Sequence, residues 1–205
     1  MNGGWKRWMR TVRRRLGRPV FTEPADVERA ELAFYVDFLK PGMTVFDVGA
    51  HVGEMALLFA RLVGPSGRVH CFEACGGTVA RLREICRLAG RETIVVNHLA
   101  VTDREGRVSF NIYDQEHSAL NTLARRPVDP GAVDVAPREV EQVATTSLDA
   151  YCRGQGIARI DLLKIDAEGA EYQALLGARG LLESRAVGCC VFEFGGTTFD
   201  MGNDP

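Results

Sequence analysis

Residues 44–53 read TVFDVGAHVG: five strand-forming positions, Thr44 to Val48, interrupted only by Asp47, then two glycines in a G-x-x-x-G spacing, Gly49 and Gly53. An apolar run of that length suits a buried strand, and the residues behind it, Met55, Leu57, Leu58, Phe59 and Leu62, suit a buried helix over 54–63. Gly64, Pro65, Ser66 and Gly67 make a turn. The same alternation then repeats, with a strand expected over 68–73, an amphipathic helix over 78–89 and a third strand over 94–101. Strand, helix, strand, helix, strand implies parallel pairing through crossovers. The expected fold is therefore α/β, with a mostly parallel sheet.

Outward from this unit, residues 22–39 read as a helix with Pro24 in its first turn, stopped by Pro41 and Gly42. Further strands are expected over 107–113 and 140–145, a short capped helix over 147–153, a buried strand over 161–166 (DLLKID) and one helix over 171–182. The run VGCCVFEF, 187–194, has the texture of a central strand. Residues 114–139 hold Pro127, Pro130, Gly131 and Pro137 without periodicity, and a loop of that length in a compact domain tends to be functional or mobile, so a substrate-side excursion is expected there.

The chain of 205 residues is 46% hydrophobic and 25% charged, which is the composition of one globular domain. Its formal charge of -2 conceals an asymmetry, because Lys6, Arg7, Arg10, Arg13, Arg14, Arg15 and Arg18 all precede the first acidic residue, Glu23. The boundary is accordingly drawn between a basic extension, 1–22, and one domain, 23–205. With Trp5 and Trp8 interleaved, the arm reads as a solvated extension or as a weak contact to an anionic membrane surface. No nucleic-acid partner is expected. No apolar h-region follows the arginines, and no run approaches the roughly 18 apolar residues of a membrane span. Six cysteines without C-x-x-C spacing point to a reducing, cytoplasmic setting.

In an open parallel sheet the ligand lies beyond the carboxyl ends of the strands, which brings the segment Asp47 to Gly53 against it. Gly49 permits a tight turn and close approach, and Gly53 lets the next helix pack near the strand. The spacing is not the G-x-G-x-x-G that cradles a pyrophosphate. Asp47 would repel a phosphate but suits a ligand carrying an ammonium and a sulfonium. Glu73 ends the second strand, where a carboxylate accepts hydrogen bonds from ribose hydroxyls.

The segments VFDVGAHVG, HCFEA, NHLAVTD and LLKIDAEGAEYQALLGA together resemble the FkbM-type methyltransferases over residues 42–200, with KIDAEGAE the most specific motif. The resemblance implies a class I methyltransferase fold, Rossmann-like with a doubly wound, mostly parallel sheet, S-adenosylmethionine as methyl donor, and a small hydroxylated acceptor such as a sugar or macrolide. It implies a cofactor site at Asp47, Gly49, Ala50, His51, Gly53, Glu73 and Ala100. The family's proline after the ribose-binding glutamate is replaced here by Ala74, followed by Cys75, Gly76 and Gly77. Members of that family usually continue into two further strands, so the expectation is either that the sequence is a fragment or that its sheet is short, lacking its C-terminal strands.

For methyl transfer to a hydroxyl, Asp166 and Glu168 are the candidate bases, with Lys164, on the same side of its strand as Asp166, orienting it. The alternative is a plain Lys164–Asp166 ion pair with Glu168 capping the following helix. His51 and His98 are secondary candidates, because imidazole titrates near neutrality. No spacing demands a metal. His117, Ser118, Asn121 and Thr122 are candidate acceptor contacts, and Glu193 a candidate pocket residue. Two rival readings stand beside this one: an NAD-dependent oxidoreductase, and a non-catalytic binding or regulatory protein on the same fold. Nothing in the sequence sets an oligomeric state or names the acceptor.

Overall fold

Strands that are apolar on both faces are stable only with sheet on either side and helices above and below. Two such strands form the middle of this fold. A computed structural model describes residues 24–113 and 137–192. In it β1 (Thr44–Val48) and β7 (Ile160–Ile165) are buried along nearly their whole length and pair in parallel, Val45 opposite Leu162 and Val48 opposite Ile165. On the other flank of β1 lies β2 (Arg68–Glu73), and β3 (Ile94–His98) beyond it, while β8 (Val187–Phe192) pairs with β7. The order β3-β2-β1-β7-β8 is parallel throughout. The chain winds outward from β1 through β2 and β3 and then returns to β1's opposite flank. The direction of winding thus reverses between β1 and β7, where the loops diverge and leave a crevice.

Helices α2 (Glu54–Val63) and α3 (Gly76–Leu88) make the first two crossovers and pack on β1, β2 and β3. The opposite face is covered by α4 (Leu148–Gln155), α5 (Glu171–Gly177) and α6 (Arg179–Glu183), whose Leu148, Tyr151, Ala174 and Leu181 close over Phe46, Phe72, Leu163 and Ile165. Each large apolar side chain so buried contributes about 1.5–3 kcal/mol. Tyr151, His70 and Asn97 pair within this layer. Tyr151 meets His70 Nδ1 at 2.9 Å and donates to Asn97 Oδ1 at 3.2 Å, and burial holds the His70 imidazole down to about 4, neutral at any ordinary pH.

A second sheet has the order β4-β6-β5: β4 (Ala100–Val101) runs parallel to β6 (Glu139–Thr146), and β5 (Gly106–Ile112) is antiparallel to β6. The helix α1 (Pro24–Phe38) belongs to a separate compact unit, and everything from Leu39 onward to another. Within α1, Phe34 and Phe38 stack one turn apart, with ring centroids 5.3 Å from each other.

Three expectations change. The strand expected over 94–101 divides between the two sheets, because the Leu99 N–H donates to the Glu73 carbonyl (3.2 Å) and the chain leaves the main sheet there. The helix expected over 171–182 breaks at Ala178, where Gly177 lies so close to Thr102 that a Cβ would stand 2.1 Å from its carbonyl oxygen. Asp149 then takes the Gly180 and Leu181 amides of the new helix start. Third, β8 stands at the edge of the sheet that the described residues form, pairing there only with β7, and Phe192 is 47% exposed. No helix among the described residues is long and apolar enough to cross a membrane. His117, Ser118, Asn121, Thr122, Glu193 and the basic arm lie outside the described residues.

Candidate active site

The carboxyl ends of β1, β2 and β7 share one edge, and their loops enclose a cavity of about 240 Å³. Gly49, His51, Glu73, Asp166 and Glu168 supply its polar rim, while Val48, Phe72, Leu99, Ala100, Val101 and Phe110 supply apolar wall.

The loop after β1 is shaped by backbone geometry. Gly49 has φ +82°, and a Cβ there would fall 1.8 Å from the Asp166 carbonyl oxygen. The Gly49 and Ala50 amides both donate to the Phe72 carbonyl (2.9 and 3.1 Å), which ties the loop to β2. His51 is left-handed at φ +47° and its N–H donates to Glu73 Oε2 (2.9 Å). Gly53, at φ +91°, comes so close to α3 that a Cβ would lie 2.3 Å from Leu82 Cδ1.

Glu73 is nearly buried and grips two loops at once, because Oε1 takes the Cys75 N–H (2.8 Å) while Oε2 takes that of His51. Burial pushes its carboxyl up from the ordinary 4.5, and the amides of Cys75, His51 and Ala74 pull it part of the way back. A carboxylate has about four acceptor positions. The His51 and Cys75 amides take two of them, which leaves acceptor capacity for a hydroxyl donor from a molecule in the cavity.

Across the crevice, Lys164 and Asp166 share a face of the chain leaving β7, and Lys164 Nζ donates to Asp166 Oδ2 at 3.0 Å. Lys164 is 10% exposed and Asp166 38%, so the carboxylate faces the cavity and the ammonium lies behind it. Glu168 follows at φ +47° and Gly169 at φ +107°, a bend held by Glu171. Glu171 is buried, and its carboxylate accepts the amides of Ala167 (2.9 Å) and Gly169 (3.1 and 3.0 Å). It is therefore Glu171, at the first position of α5, that ties down this bend.

Of the residues singled out in the sequence, Gly49, His51, Glu73, Ala100, Asp166 and Glu168 come together around the cavity. Ala50, Gly53 and Lys164 form its supporting layer. Asp47 does not line the cavity: it lies beside Cys71 and Lys164 in register, behind the Lys164–Asp166 pair. Neither carboxyl oxygen has a hydrogen-bond partner, and the residue is 1% exposed. Burial, reinforced by Asp166 and Glu73 and opposed by Lys164, pushes its carboxyl up to about 6. His98 does not line the cavity; its Nε2 sits 3.0 Å from the Ala74 carbonyl and 3.3 Å from Glu141.

The Asp47 environment sets a pH dependence. Its folded pKa, about 6, lies above the ordinary 3.8, so the native state holds the proton more tightly and loses stability as pH rises from about 4 to 6. The full penalty, of order 3 kcal/mol, remains at neutral pH. Asp47→Asn removes the charge, and its Tm without ligand is expected to exceed the parent's by several degrees at pH 8. At pH 4 the gain should vanish. An equal Tm for the two proteins at pH 8 would show that the buried carboxylate carries no such cost.

Sequence reasoning missed Glu171, Glu141 and Phe110. Glu171 had a local signal, a carboxylate two residues after Gly169 at a helix start. Phe110 and Glu141 had none, because both reach the main-sheet edge only through the second sheet.

Residues 47–204 match the family described as Methyltransferase FkbM domain. The 31-O-demethyl-FK506 methyltransferase FkbM of Streptomyces tacrolimicus is 35% identical over 185 residues, 79% of this chain and 67% of that protein. The 2-O-methyltransferase NoeI of Sinorhizobium fredii is 27% identical over 157 residues, 70% of this chain and 60% of that one. The chain thus spans roughly two thirds of the length of these relatives. The crystal structure of a methyltransferase FkbM from Methylobacillus flagellatus covers 77% of this chain and 39% of its own, at 17% identity and a TM-score of 0.47.

Proposed function

The chain belongs to the FkbM methyltransferase domain family, and from that premise we propose that it transfers a methyl group from S-adenosylmethionine to a hydroxyl of a small oxygenated acceptor, of the sugar or macrolide kind. The observation that carries the reading is Glu73. Its carboxylate, buried at the end of β2 and aimed by two backbone amides, opens onto a cavity whose rim contains a second carboxylate, Asp166. The glycine loop fits the same ligand, because at Gly49 a side chain would collide with the Asp166 backbone and close the crevice.

Glu73 would hold the ribose hydroxyls, Gly49 and His51 would border the ligand, and Ala100, Phe110 and Phe72 would give an apolar surface to its flat ring system. Bound at this edge, S-adenosylmethionine supplies a methyl group already electrophilic enough for in-line displacement. What the protein adds is position, and holding the acceptor oxygen in line supplies about 7–11 kcal/mol. Asp166 takes the acceptor's proton onto its carboxylate, a contribution of about 10² to 10⁴ in rate. Lys164 steadies that carboxylate from behind. Glu168, on the same rim, is the second candidate for the proton.

We place the chain in the cytoplasm, where its free thiols stay reduced, with the basic residues before Glu23 as a weak contact to an anionic membrane surface. Titration calorimetry with S-adenosylmethionine, S-adenosylhomocysteine and NAD tests the cofactor. Heat is expected with the first two and none with NAD. Tight NAD binding without a response to S-adenosylhomocysteine would sink the proposal. Methyl release onto a panel of hydroxylated sugars and macrolides then tests the acceptor class.

A further inference from the structure

The second sheet reaches the turn behind Glu73 through one charged side chain. Glu141, on β6, accepts the Gly76 N–H on Oε2 (3.0 Å), and its Oε1 stands 3.3 Å from His98 Nε2. His98 Nε2 is in turn 3.0 Å from the Ala74 carbonyl. Glu141 therefore holds the turn at two points, directly at Gly76 and through His98 at Ala74. Between them is Cys75, whose amide donates to Glu73 Oε1.

Three features separate this from an incidental surface ion pair. Gly76 opens α3, a position whose amide has no partner inside the helix, and the preceding Cys75 provides no side-chain cap. Glu141 supplies that cap from another sheet. The fit is close as well, because a Cβ on Gly76 would lie 2.8 Å from Glu141 Oε1. Finally, Glu141 stands directly opposite Phe110 in the β5–β6 register, and Phe110 lines the cavity. One strand pair thus provides both a wall of the cavity and the clamp on the turn.

We propose that Glu141 is a positioning residue: it fixes the turn 74–76 so that the Cys75 amide keeps the Glu73 carboxylate aimed at the ribose hydroxyls of the cofactor. The inference rests on the reading of Glu73 given above. It also explains how a turn with Ala74, Gly76 and Gly77 in place of a stiffening proline stays ordered: the restraint comes from β6.

The test uses calorimetry on the full chain with S-adenosylhomocysteine and its 2′-deoxy analogue, which lacks a hydroxyl for Glu73 to grip. Glu141→Ala is expected to weaken S-adenosylhomocysteine by about tenfold, the cost of freeing a charge-assisted hydrogen bond. It should also narrow the preference for the ribose ligand over the deoxy one. Glu141→Gln still accepts from Gly76 and should restore most of both. Gly76→Ala, which displaces the carboxylate without altering it, should reproduce the narrowing even where Glu141→Ala fails to fold. In a Glu73→Gln background, Glu141→Ala should cost nothing further. Equal weakening of both ligands, or an additive loss in the double variant, would overturn the inference. If the parent chain binds no S-adenosylhomocysteine, the cofactor reading itself falls first.

Discussion

Asp166→Asn is expected to lower kcat by about 10² to 10⁴ while leaving the S-adenosylhomocysteine Kd within a few fold of the parent's. The asymmetry follows from where the residue's parts are used. Its backbone is structural: the Asp166 N–H donates to the Val48 carbonyl (2.9 Å), and its own carbonyl is the surface on which Gly49 closes. Asparagine keeps both. The side chain faces the cavity, 38% exposed, and accepts from Lys164 Nζ at 3.0 Å, a bond the amide oxygen can still accept. What the substitution removes is the ability to take a proton. Single-turnover methyl transfer beside calorimetry separates the two quantities. If binding and turnover fall together, Asp166 is a cofactor or folding residue. If Asp166→Asn is mild and Glu168→Gln is severe, the proton goes to Glu168.

Gly49→Ala should be the most damaging single methyl group in the domain. Two costs coincide there: a left-handed φ of +82°, and a backbone oxygen 1.8 Å from the new Cβ with the Asp166 carbonyl carbon at 2.7 Å. A flexible side chain can move aside, but these are backbone atoms of Asp166, the residue directly after β7. They cannot retreat without breaking the Asp166 bond to Val48 or the loop's bonds to Phe72. We expect a loss of about 3–5 kcal/mol, a fall in Tm of roughly 10 °C, and no detectable S-adenosylhomocysteine binding in the fraction that folds. Gly156→Ala is the control, since Gly156 has φ +67° with nothing within 4 Å of a Cβ. It bears only the handedness penalty of about 1–2 kcal/mol. Equal Tm losses for the two would show that close approach contributes nothing at Gly49.

The site was legible where its chemistry is local. Glycines after a strand, a carboxylate at the end of the next strand and the KIDAEGAE segment each announce themselves within a few residues. The cavity does contain Gly49, Glu73, Asp166 and Glu168. Asp47 adjoins the loop in sequence but does not line the cavity, and its carboxyl oxygens are buried without a hydrogen-bond partner among the described residues. His98 is at the same sheet edge but is held by Ala74 and Glu141 instead of lining the cavity.

By itself the sequence determined the parallel core, because β1, α2 and β2 are specified by the spacing of their own apolar residues and bounded by their own glycines. Their limits, Thr44–Val48, Glu54–Val63 and Arg68–Glu73, are those expected. Only the tertiary structure decided where the third strand leaves the sheet, where α5 gives way to α6, and which side chains clamp the turn behind Glu73. Each of these depends on a contact between residues far apart in the chain: Leu99 with Glu73, Gly177 with Thr102, Gly76 with Glu141. Local patterning carries the free energy of burial, whereas these breaks and clamps are set by which backbone amides find partners once the sheets have met.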